Sequence, residues 1–247
     1  MGHPRWVATM GALACFGGGC LGRDEATERI EEPGPILRVD IELDAGAVTI
    51  AGAAGAGASG SVSTRWAHEA PDVVHYVEDD VLHVLVRCEP FAAPCLVDVT
   101  LTVPADANVT VVTGLGDVLV RGVAGDVEVV SADGAIEGHA LGGAFFAETE
   151  AGDIVADGLG GTLVDARTGA GLVDLRLAAA PMRLVARTES GDVLLQVPAG
   201  PYRIDADVPK GELDIGAAIV EDPSSPSVVV AESGNGDVVI RAREGGR

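Results

Sequence analysis

A short motif recurs along the second half of the chain: a serine or threonine, two variable residues, a glycine and, in most copies, an aspartate. The clearest copies are TEAGD at residues 149–153 and TESGD at residues 188–192. Carboxylates gathered by a repeat can bind Ca²⁺, as in parallel β-roll proteins. Alternatively, the glycine supplies the backbone angles of a tight turn and the aspartate accepts hydrogen bonds from nearby amides. The motif is therefore either an ion site or a structural corner.

Interruptions in the aspartate column favour the structural corner. Aspartate follows the glycine at positions 117, 153, 192 and 237, whereas the equivalent positions between them carry Ala135, Leu172 and Glu212. A repeated ion site would not tolerate leucine in place of a ligand, because an alkyl side chain offers no oxygen. We therefore expect no cofactor and no metal ion. A calcium-stabilised repeat rod is the first alternative.

Other kinds of chemistry have weaker support in the sequence. Hydrolysis by paired carboxylates requires two acids that converge in a cleft, one with a raised pKa, and no spacing singles out such a pair. Enzymes with a parallel β-helix that cleave acidic polysaccharides keep a polysaccharide-active enzyme as the second alternative. A sugar-stacking patch of Trp66 and Tyr76 is a weaker hypothesis than half-buried strand packing. Metal binding would need a cluster, but the histidines after the first 35 residues are scattered at positions 68, 75, 83 and 139. We assign no catalytic residue.

The glycines of the motif divide the chain into repeats of similar length. They lie 18 to 25 residues apart, at Gly116, Gly134, Gly152, Gly171, Gly191, Gly211 and Gly236. Such a period is typical of repeat proteins in which each repeat is one coil of a solenoid. Two residues after each glycine stands a branched aliphatic residue: Val118, Ile136, Ile154, Val173, Val193, Leu213 and Val238. A serine or threonine stands three residues before each glycine, except at Val208.

Alternating columns before each glycine predict strands. Seven and five residues before the last six glycines stand two apolar columns, the second mostly alanine, and their spacing of two is strand alternation. We predict an all-β fold, a single-stranded β-solenoid resembling a β-helix, with about seven coils over residues 113–243. Residues 36–112 would form a β-rich N-terminal cap continuous with the coils. Within this cap we predict a hairpin that turns at residues 78–80.

Composition limits the classes of partner. The chain of 247 residues has a formal net charge of −22 and a sequence pI near 4.3, so it would repel nucleic acid and anionic membrane surfaces. Its 47% hydrophobic residues are enough to bury a core, whereas only 3% are aromatic. We expect no nucleic-acid partner.

The first 35 residues are typical of an export signal followed by a linker. Residues 1–20 contain an arginine, an apolar run and small residues before Cys20, as in the signal peptide of a bacterial lipoprotein. We expect lipidation at Cys20, with Cys15 as a poorer candidate. Ordinary cleavage after Ala14, which would release a soluble periplasmic or secreted protein, is the alternative. Residues 21–35 are acidic, contain two prolines, and are predicted to be a tether.

Cys88 and Cys95 flank a proline-containing loop between two strand-like runs. In an exported protein they would most simply form a disulfide, which stabilises by roughly 2–3 kcal/mol in the chain-entropy model. They form no C-x-x-C pair and no histidine lies between them, which argues against a redox or metal site.

Three stretches of the chain resemble a known family. They are LTVPADANVTVVTGLGDVLVRG, the run from SADGAIEG through TEAGDIVADG, and TESGDVLLQV. They are similar to a bacterial family of uncharacterised exported β-strand-repeat proteins, a domain of unknown function that carries the label adhesin. The resemblance covers about residues 37–243. It implies a β-solenoid and exposure at the surface or in the periplasm, and it transfers no catalytic residues. The chain departs from the family pattern at Ala135, Leu172 and Glu212, where aspartate usually follows the glycine.

These observations together predict a non-enzymatic protein of the cell envelope. It would be exported and anchored to a membrane through an N-terminal lipid, facing the periplasm or the surface. It would act as a scaffold or as an adhesin-like binding module for a protein or glycan that the sequence does not identify.

Overall fold

The computed structural model describes residues 24–88 and 95–243, and all regular elements in these ranges are β-strands. The strands are, in chain order, β1 (Asp24–Glu32), β2 (Arg38–Ala45), β3 (Ala47–Ala53), β4 (Ala58–Trp66), β5 (Asp72–Glu78), β6 (Val81–Arg87), β7 (Cys95–Pro104), β8 (Asn108–Leu115), β9 (Val118–Arg121), β10 (Val127–Asp133), β11 (Ile136–His139), β12 (Phe145–Ala151), β13 (Ile154–Leu159), β14 (Leu163–Ala170), β15 (Val173–Leu177), β16 (Arg183–Ser190), β17 (Val193–Val197), β18 (Gly200–Asp207), β19 (Leu213–Ile215), β20 (Ile219–Glu221), β21 (Val228–Ser233) and β22 (Val238–Ala242). None of the described residues forms a helix of the length and apolarity that a membrane crossing requires.

The strands form two sheets of eleven strands each. The first sheet has the spatial order β1-β4-β7-β3-β9-β11-β13-β15-β17-β22-β19, and the second has the order β20-β18-β21-β16-β14-β12-β10-β8-β2-β6-β5. Side chains from both sheets meet in one continuous apolar core, in which valine, isoleucine, leucine and alanine predominate.

The prediction of a single-stranded β-solenoid is wrong, because the chain forms these two mixed sheets. Each repeat contributes one strand to each sheet, so β12 belongs to the second sheet and β13, after the corner, to the first. Near the N-terminus, β1 and β4 pair antiparallel, as do β4 and β7, and β5 and β6. A repeat length near twenty indicates that neighbouring repeats stack, but it does not determine how many sheets the repeats form.

The columns seen in the sequence lie side by side within the sheets. In the first sheet, parallel pairing aligns Val118, Ile136, Ile154, Val173 and Val193, and each of these side chains is at most 1% exposed. The alanine column aligns in the same way in the second sheet, where Ala147 pairs with Ala166. Because successive side chains of a strand point to opposite faces, these residues point inwards and the residues between them lie on the two outer faces.

The repeat of Gly211 does not stack in sequence order. Strand β22 pairs with β17, and β19 lies outside β22 at the edge of the sheet. Ser233 donates a hydrogen bond to the carbonyl oxygen of Gly191 (2.8 Å). Val208, which holds the equivalent position in the Gly211 repeat, has no hydroxyl to make this bond. The last repeat therefore inserts next to β16 and β17, and the earlier one forms the end of the stack.

Part of the segment predicted to be a tether is a strand. Strand β1 pairs antiparallel with β4 over its full length, and the side chain of Ile30 is completely buried. The prediction of a tether over residues 21–35 is therefore wrong for residues 24–32. The sequence has no periodic signal for this strand, because Ile30 is a single buried apolar side chain among acidic neighbours. Backbone pairing with β4 holds the strand in place. Residues 1–23, which include Cys20, lie outside the described residues.

Residues 36–112 join the same two sheets. Strands β2 and β3 pair with β8 and β9 and so continue the ladder, with Gly46 directly above Gly116. The predicted hairpin is confirmed: β5 and β6 are joined by Asp79 and Asp80, which have φ angles of 50° and 62°. Two residues with positive φ are the requirement of the tight hairpin turn whose twist matches that of the strands.

Candidate functional site

The Gly-Asp motif forms the corner at which the chain passes from the second sheet to the first. Gly152 has a φ of +143°, and a Cβ atom there would lie 2.1 Å from the carbonyl oxygen of Gly134 in the adjacent repeat. Both the backbone angle and the close approach require glycine. The predicted turn glycines at 116, 134, 171, 191 and 236 have the same positive φ, whereas Gly211 is not among the positive-φ residues.

The hydroxyl of the motif bonds to the neighbouring corner. Thr168 Oγ1 donates to the carbonyl oxygen of Gly152 (2.8 Å), and Thr188 Oγ1 donates to that of Gly171 (3.0 Å). These threonines are 4% exposed, so each bond pairs two polar groups that have little access to water. These two hydroxyls thus link adjacent repeats through side-chain hydrogen bonds.

The aspartate of the motif also bonds to the adjacent repeat. Asp153 Oδ1 accepts a hydrogen bond from the amide of Leu172 (2.8 Å), and Asp117 Oδ1 accepts one from the amide of Ala135 (2.9 Å). These bonds agree with the structural interpretation of the motif. The donor is a backbone N–H, so the side chain at the donor position can be leucine or alanine. An aspartate is therefore not required at the position that donates.

A second corner was missed by the sequence analysis. Asn108 Oδ1 accepts a hydrogen bond from the amide of Asp126 (2.9 Å), and Asp126 Oδ1 accepts one from the amide of Ala144 (2.8 Å). Gly143 and Gly161 stack beside them, since a Cβ atom on Gly161 would lie 1.8 Å from the carbonyl oxygen of Gly143. The sequence signal for this corner was the repeat of 18 residues from Asn108 to Asp126 to Ala144. It is hard to recognise because the third position carries alanine, which has no polar side chain.

The cysteines and histidines in the described part of the chain make other contacts than metal coordination. Cys88 and Cys95 are joined by a disulfide, with their Cα atoms 6.2 Å apart. His75 lies 3.0 Å from a carboxylate oxygen of Glu28, and the ring of His83 stacks on Tyr76 with centroids 4.8 Å apart. Within residues 24–88 and 95–243, no three His, Cys, Asp or Glu side chains come together in a way that could hold a metal ion.

The aromatic residues considered as a sugar-binding patch are separated between the two sheets. Trp66 lies at the end of β4 in the first sheet, and Tyr76 lies on β5 in the second. Tyr76 is 43% exposed, but its ring already stacks on His83.

A groove with a volume of about 640 Å³ lies on the outer face of the first sheet. We call it the arginine groove. Its lining residues come mainly from β13, β15, β17 and β22 and the turns after them: Asp157, Gly158, Arg176, Gln196, Arg241, Ala242 and Arg243. Arg176, Gln196 and Arg241 are direct neighbours in the strand register, about 4.8 Å apart from one strand to the next. Three guanidinium groups thus converge on a protein whose net charge is strongly negative.

The arginines of the groove are held in place by different partners. Arg176 donates to Asp174 Oδ2 (2.8 Å), and Asp174 is only 7% exposed. Arg241 pairs with the exposed carboxylate of Asp214, which lowers the pKa of Asp214 and raises that of Arg241. Arg243 donates to the carbonyl oxygen of Leu177 (3.1 Å). A guanidinium has five N–H donors, so each arginine keeps donors for a ligand.

A second groove, of about 720 Å³, lies near the corners of the second sheet, and acidic residues outnumber the arginines in its lining. Its arginines are paired with carboxylates, Arg167 with Asp165 (2.7 Å) and Arg187 with Glu232 (2.9 Å). Its lining also contains several further acidic residues, among them Glu148. The arginine groove is therefore the better candidate for an anionic ligand.

Comparisons with known proteins find solved structures of low similarity and no family assignment. No protein-family profile matches the chain, and no curated protein matches it. A candidate cell adhesion protein from Clostridium sporogenes is 10% identical, covers 90% of this chain and 100% of its own, and has a TM-score of 0.42. A candidate lipid-binding protein from Parabacteroides distasonis is 12% identical, with coverages of 87% and 96% and a TM-score of 0.48. A candidate adhesin from Bacteroides fragilis is 9% identical, with coverages of 89% and 97% and a TM-score of 0.35. Likenesses at this level carry no conclusion about activity.

Proposed function

We propose that the protein is an exported, lipid-anchored, non-enzymatic binding module of the cell envelope, and that the arginine groove binds its ligand. The observation that supports this function is the convergence of three arginines in one groove of an acidic protein. The disulfide between Cys88 and Cys95 suits an oxidising compartment outside the cytoplasm.

The ligand class that fits the groove is a short acidic oligosaccharide. Guanidinium groups bind carboxylates and sulfates through paired, charge-assisted hydrogen bonds, and Gln196 adds an amide for a sugar hydroxyl. The volume of about 640 Å³ lies within the range of small-molecule sites. The negative charge elsewhere on the protein opposes binding only weakly at physiological salt, because charges more than about 8 Å away are largely screened.

A binding role agrees better with the acidic groups than a hydrolytic role does. The carboxylates of the corner, such as Asp117 and Asp153, are engaged by backbone amides. Asp214 and Asp222 have lowered pKa values, through hydrogen bonds from Arg241 and Ser224 respectively. A general acid in a glycosidase needs a raised pKa, so the shifts at these two groups go in the wrong direction.

Isothermal titration calorimetry with trigalacturonate tests the ligand class, with neutral maltotriose as the control sugar. We expect saturable binding of trigalacturonate alone, and an affinity at least tenfold weaker in the double variant Arg241→Gln/Arg243→Gln. Each charge-assisted hydrogen bond contributes about 1.5–3 kcal/mol, and 1.4 kcal/mol corresponds to a factor of ten.

The choice of variants follows from the contacts. Arg176 is left intact because its removal would leave Asp174 buried without its partner and would destabilise the fold. Arg121→Gln is the matched control, since Arg121 is exposed on the same outer face but does not line the groove. The proposed ligand class is wrong if the wild-type protein does not bind trigalacturonate or binds maltotriose as tightly. The arginine groove is not the binding site if the double variant binds trigalacturonate as tightly as the wild-type protein and Arg121→Gln do.

Mass spectrometry of the mature N-terminus tests the anchor separately. We expect a diacylglyceryl-modified Cys20 as the first residue. An unmodified N-terminus at Cys15 would refute the lipid anchor and leave an exported soluble protein, whatever the result for the groove.

A further inference from the structure

The end of the stack formed by β18 and β19 exposes residues that are core residues everywhere else. Leu213 belongs to the same inner column as Ile154, Val193 and Val238, which pair with their neighbours and are completely buried. Leu213 itself is 46% exposed. The inner column therefore continues to this end of the protein without a covering layer over its last member.

The same loss of burial occurs in the other inner columns. Ile204, Ala206 and Val208 are half-buried, although their counterparts in β21, Val229 and Ala231, are completely buried. Four columns from both sheets thus lose their cover together. We call this surface, formed by residues 203–208 and by β19 (Leu213–Ile215), the open end.

The open end also has unpaired strand edges within the described part of the chain. Residues 203–207 of β18 pair with β21 on one side, whereas β20 covers only the preceding residues 200–202. Strand β19 pairs with β22 on one side and ends the first sheet. The amide of Arg203 bonds towards β21 (2.9 Å). Successive residues of a parallel strand bond to opposite sides. Since Arg203 bonds towards β21, the N–H and C=O groups of Ile204 and Ala206 point to the free side.

The charges around these edges are mainly acidic. Asp205 and Asp207 are exposed on the outer face of β18, and Glu212 and Asp214 are exposed beside the edge of β19. Like charges directly opposite each other on neighbouring strands are destabilising. A strand added at this end would therefore be favoured if lysine or arginine faced the two aspartates of β18.

We propose that the open end binds an extended segment of another protein, in which apolar residues alternate with lysine or arginine, as an additional strand of the second sheet. Its apolar side chains would cover Ile204, Ala206 and Leu213, and its backbone would pair with the free edge of β18. Its basic side chains would face Asp205 and Asp207. A second copy of this chain fits less well, because stacking two open ends brings these aspartates together.

A pair of peptides tests this proposal on the full chain. The probe is Ac-Glu-Val-Lys-Ala-Lys-Val-NH2, whose residues are matched one by one to residues 203–208, with valine and alanine facing inwards. The control, Ac-Lys-Val-Glu-Ala-Glu-Val-NH2, has the same apolar pattern and reversed charges. Peptide binding is followed by fluorescence anisotropy, and its location by the methyl NMR signals of Ile204 and Leu213. We expect the probe to bind at least tenfold more tightly and to shift these signals, while those of buried Val173 stay unchanged.

The charge-swap variant Asp205→Lys/Asp207→Lys makes the test independent of peptide solubility. Both positions are exposed, so the variant is expected to fold. It should prefer the control peptide to the probe by at least tenfold. Equal binding of the two peptides by the wild-type protein, or a preference that the charge swap does not reverse, overturns the proposal. A concentration-dependent dimer in sedimentation that the charge swap changes would also overturn it, in favour of a second copy as the partner.

Discussion

Replacement of Gly152 by alanine tests whether stacking of the corners stabilises the protein. The added methyl group has to adopt a φ of +143°, in a region that residues other than glycine rarely occupy, and it meets the carbonyl oxygen of Gly134 at 2.1 Å. Since this contact is to backbone, relief requires the two repeats to separate locally. Separation would also weaken the hydrogen bond that Thr149 Oγ1 donates to the carbonyl oxygen of Gly134 (3.3 Å).

The two effects can be separated by comparison with other glycines. Gly55 has a φ of +138° but no atoms near an added Cβ, and Gly34 has neither a positive φ nor a close neighbour. Backbone strain costs about 1–3 kcal/mol and overpacking adds about 1–3 kcal/mol. We therefore expect Gly152→Ala to lower the free energy of unfolding by about 4 kcal/mol, Gly55→Ala by about 2 kcal/mol, and Gly34→Ala by about 0.

Urea unfolding followed by circular dichroism measures these differences. With a slope of about 2 kcal/mol per molar urea, the midpoint of Gly152→Ala should fall by about 2 M and that of Gly55→Ala by about 1 M, with the slope unchanged. Equal midpoints for Gly152→Ala and Gly55→Ala would refute the close stacking of the corners, because only the first variant introduces a contact with the adjacent repeat.

Three further predictions concern the bonds that hold the repeats and the ends. Thr168→Val should lower the free energy of unfolding by about 1–3 kcal/mol in urea titration, because the carbonyl of Gly152 loses its hydroxyl donor, whereas Thr168→Ser should retain most of the stability. Replacing both cysteines of the Cys88–Cys95 disulfide by serine should lower it by about 2–3 kcal/mol in non-reducing buffer, and a variant as stable as wild type would show that the bond does not form. The pKa of Asp214 is lowered by the hydrogen bond from Arg241, so its contribution is present above the unfolded-state pKa and is lost as pH falls through the folded-state value. Asp214→Asn should therefore flatten the decline in stability below about pH 4, and parallel declines for variant and wild type would contradict this.

The sequence predicted the inner columns and the purpose of the corner, because both depend on local repetition. Ile154 and Val193 pair in register with their predicted neighbours through β15, and Asp153 bonds to a backbone amide as the structural interpretation required. The hairpin at Asp79 and Asp80 was predictable because the turn signal and the two strands are adjacent in sequence.

The number of sheets, the stacking order and the tether could not be predicted in the same way. Two sheets, and the antiparallel pairing of β1 with β4, depend on contacts between residues far apart in the chain. Val208, in place of a serine or threonine, was the one visible sign that the Gly211 repeat leaves the sequence order. The arginine groove was also missed, since Arg176, Gln196 and Arg241 lie about 20 or more residues apart and share no motif. Only the strand register brings them together.

Calcium titration of the full chain tests most directly whether the repeated Gly-Asp motif is a structural corner. We expect no saturable heat in isothermal titration calorimetry up to millimolar CaCl₂, and the same thermal unfolding midpoint with and without calcium. We also expect Asp153→Asn, which keeps an acceptor for the amide of Leu172, to be nearly as stable as wild type. Saturable calcium binding that raises the unfolding midpoint and disappears in Asp153→Asn would contradict the account.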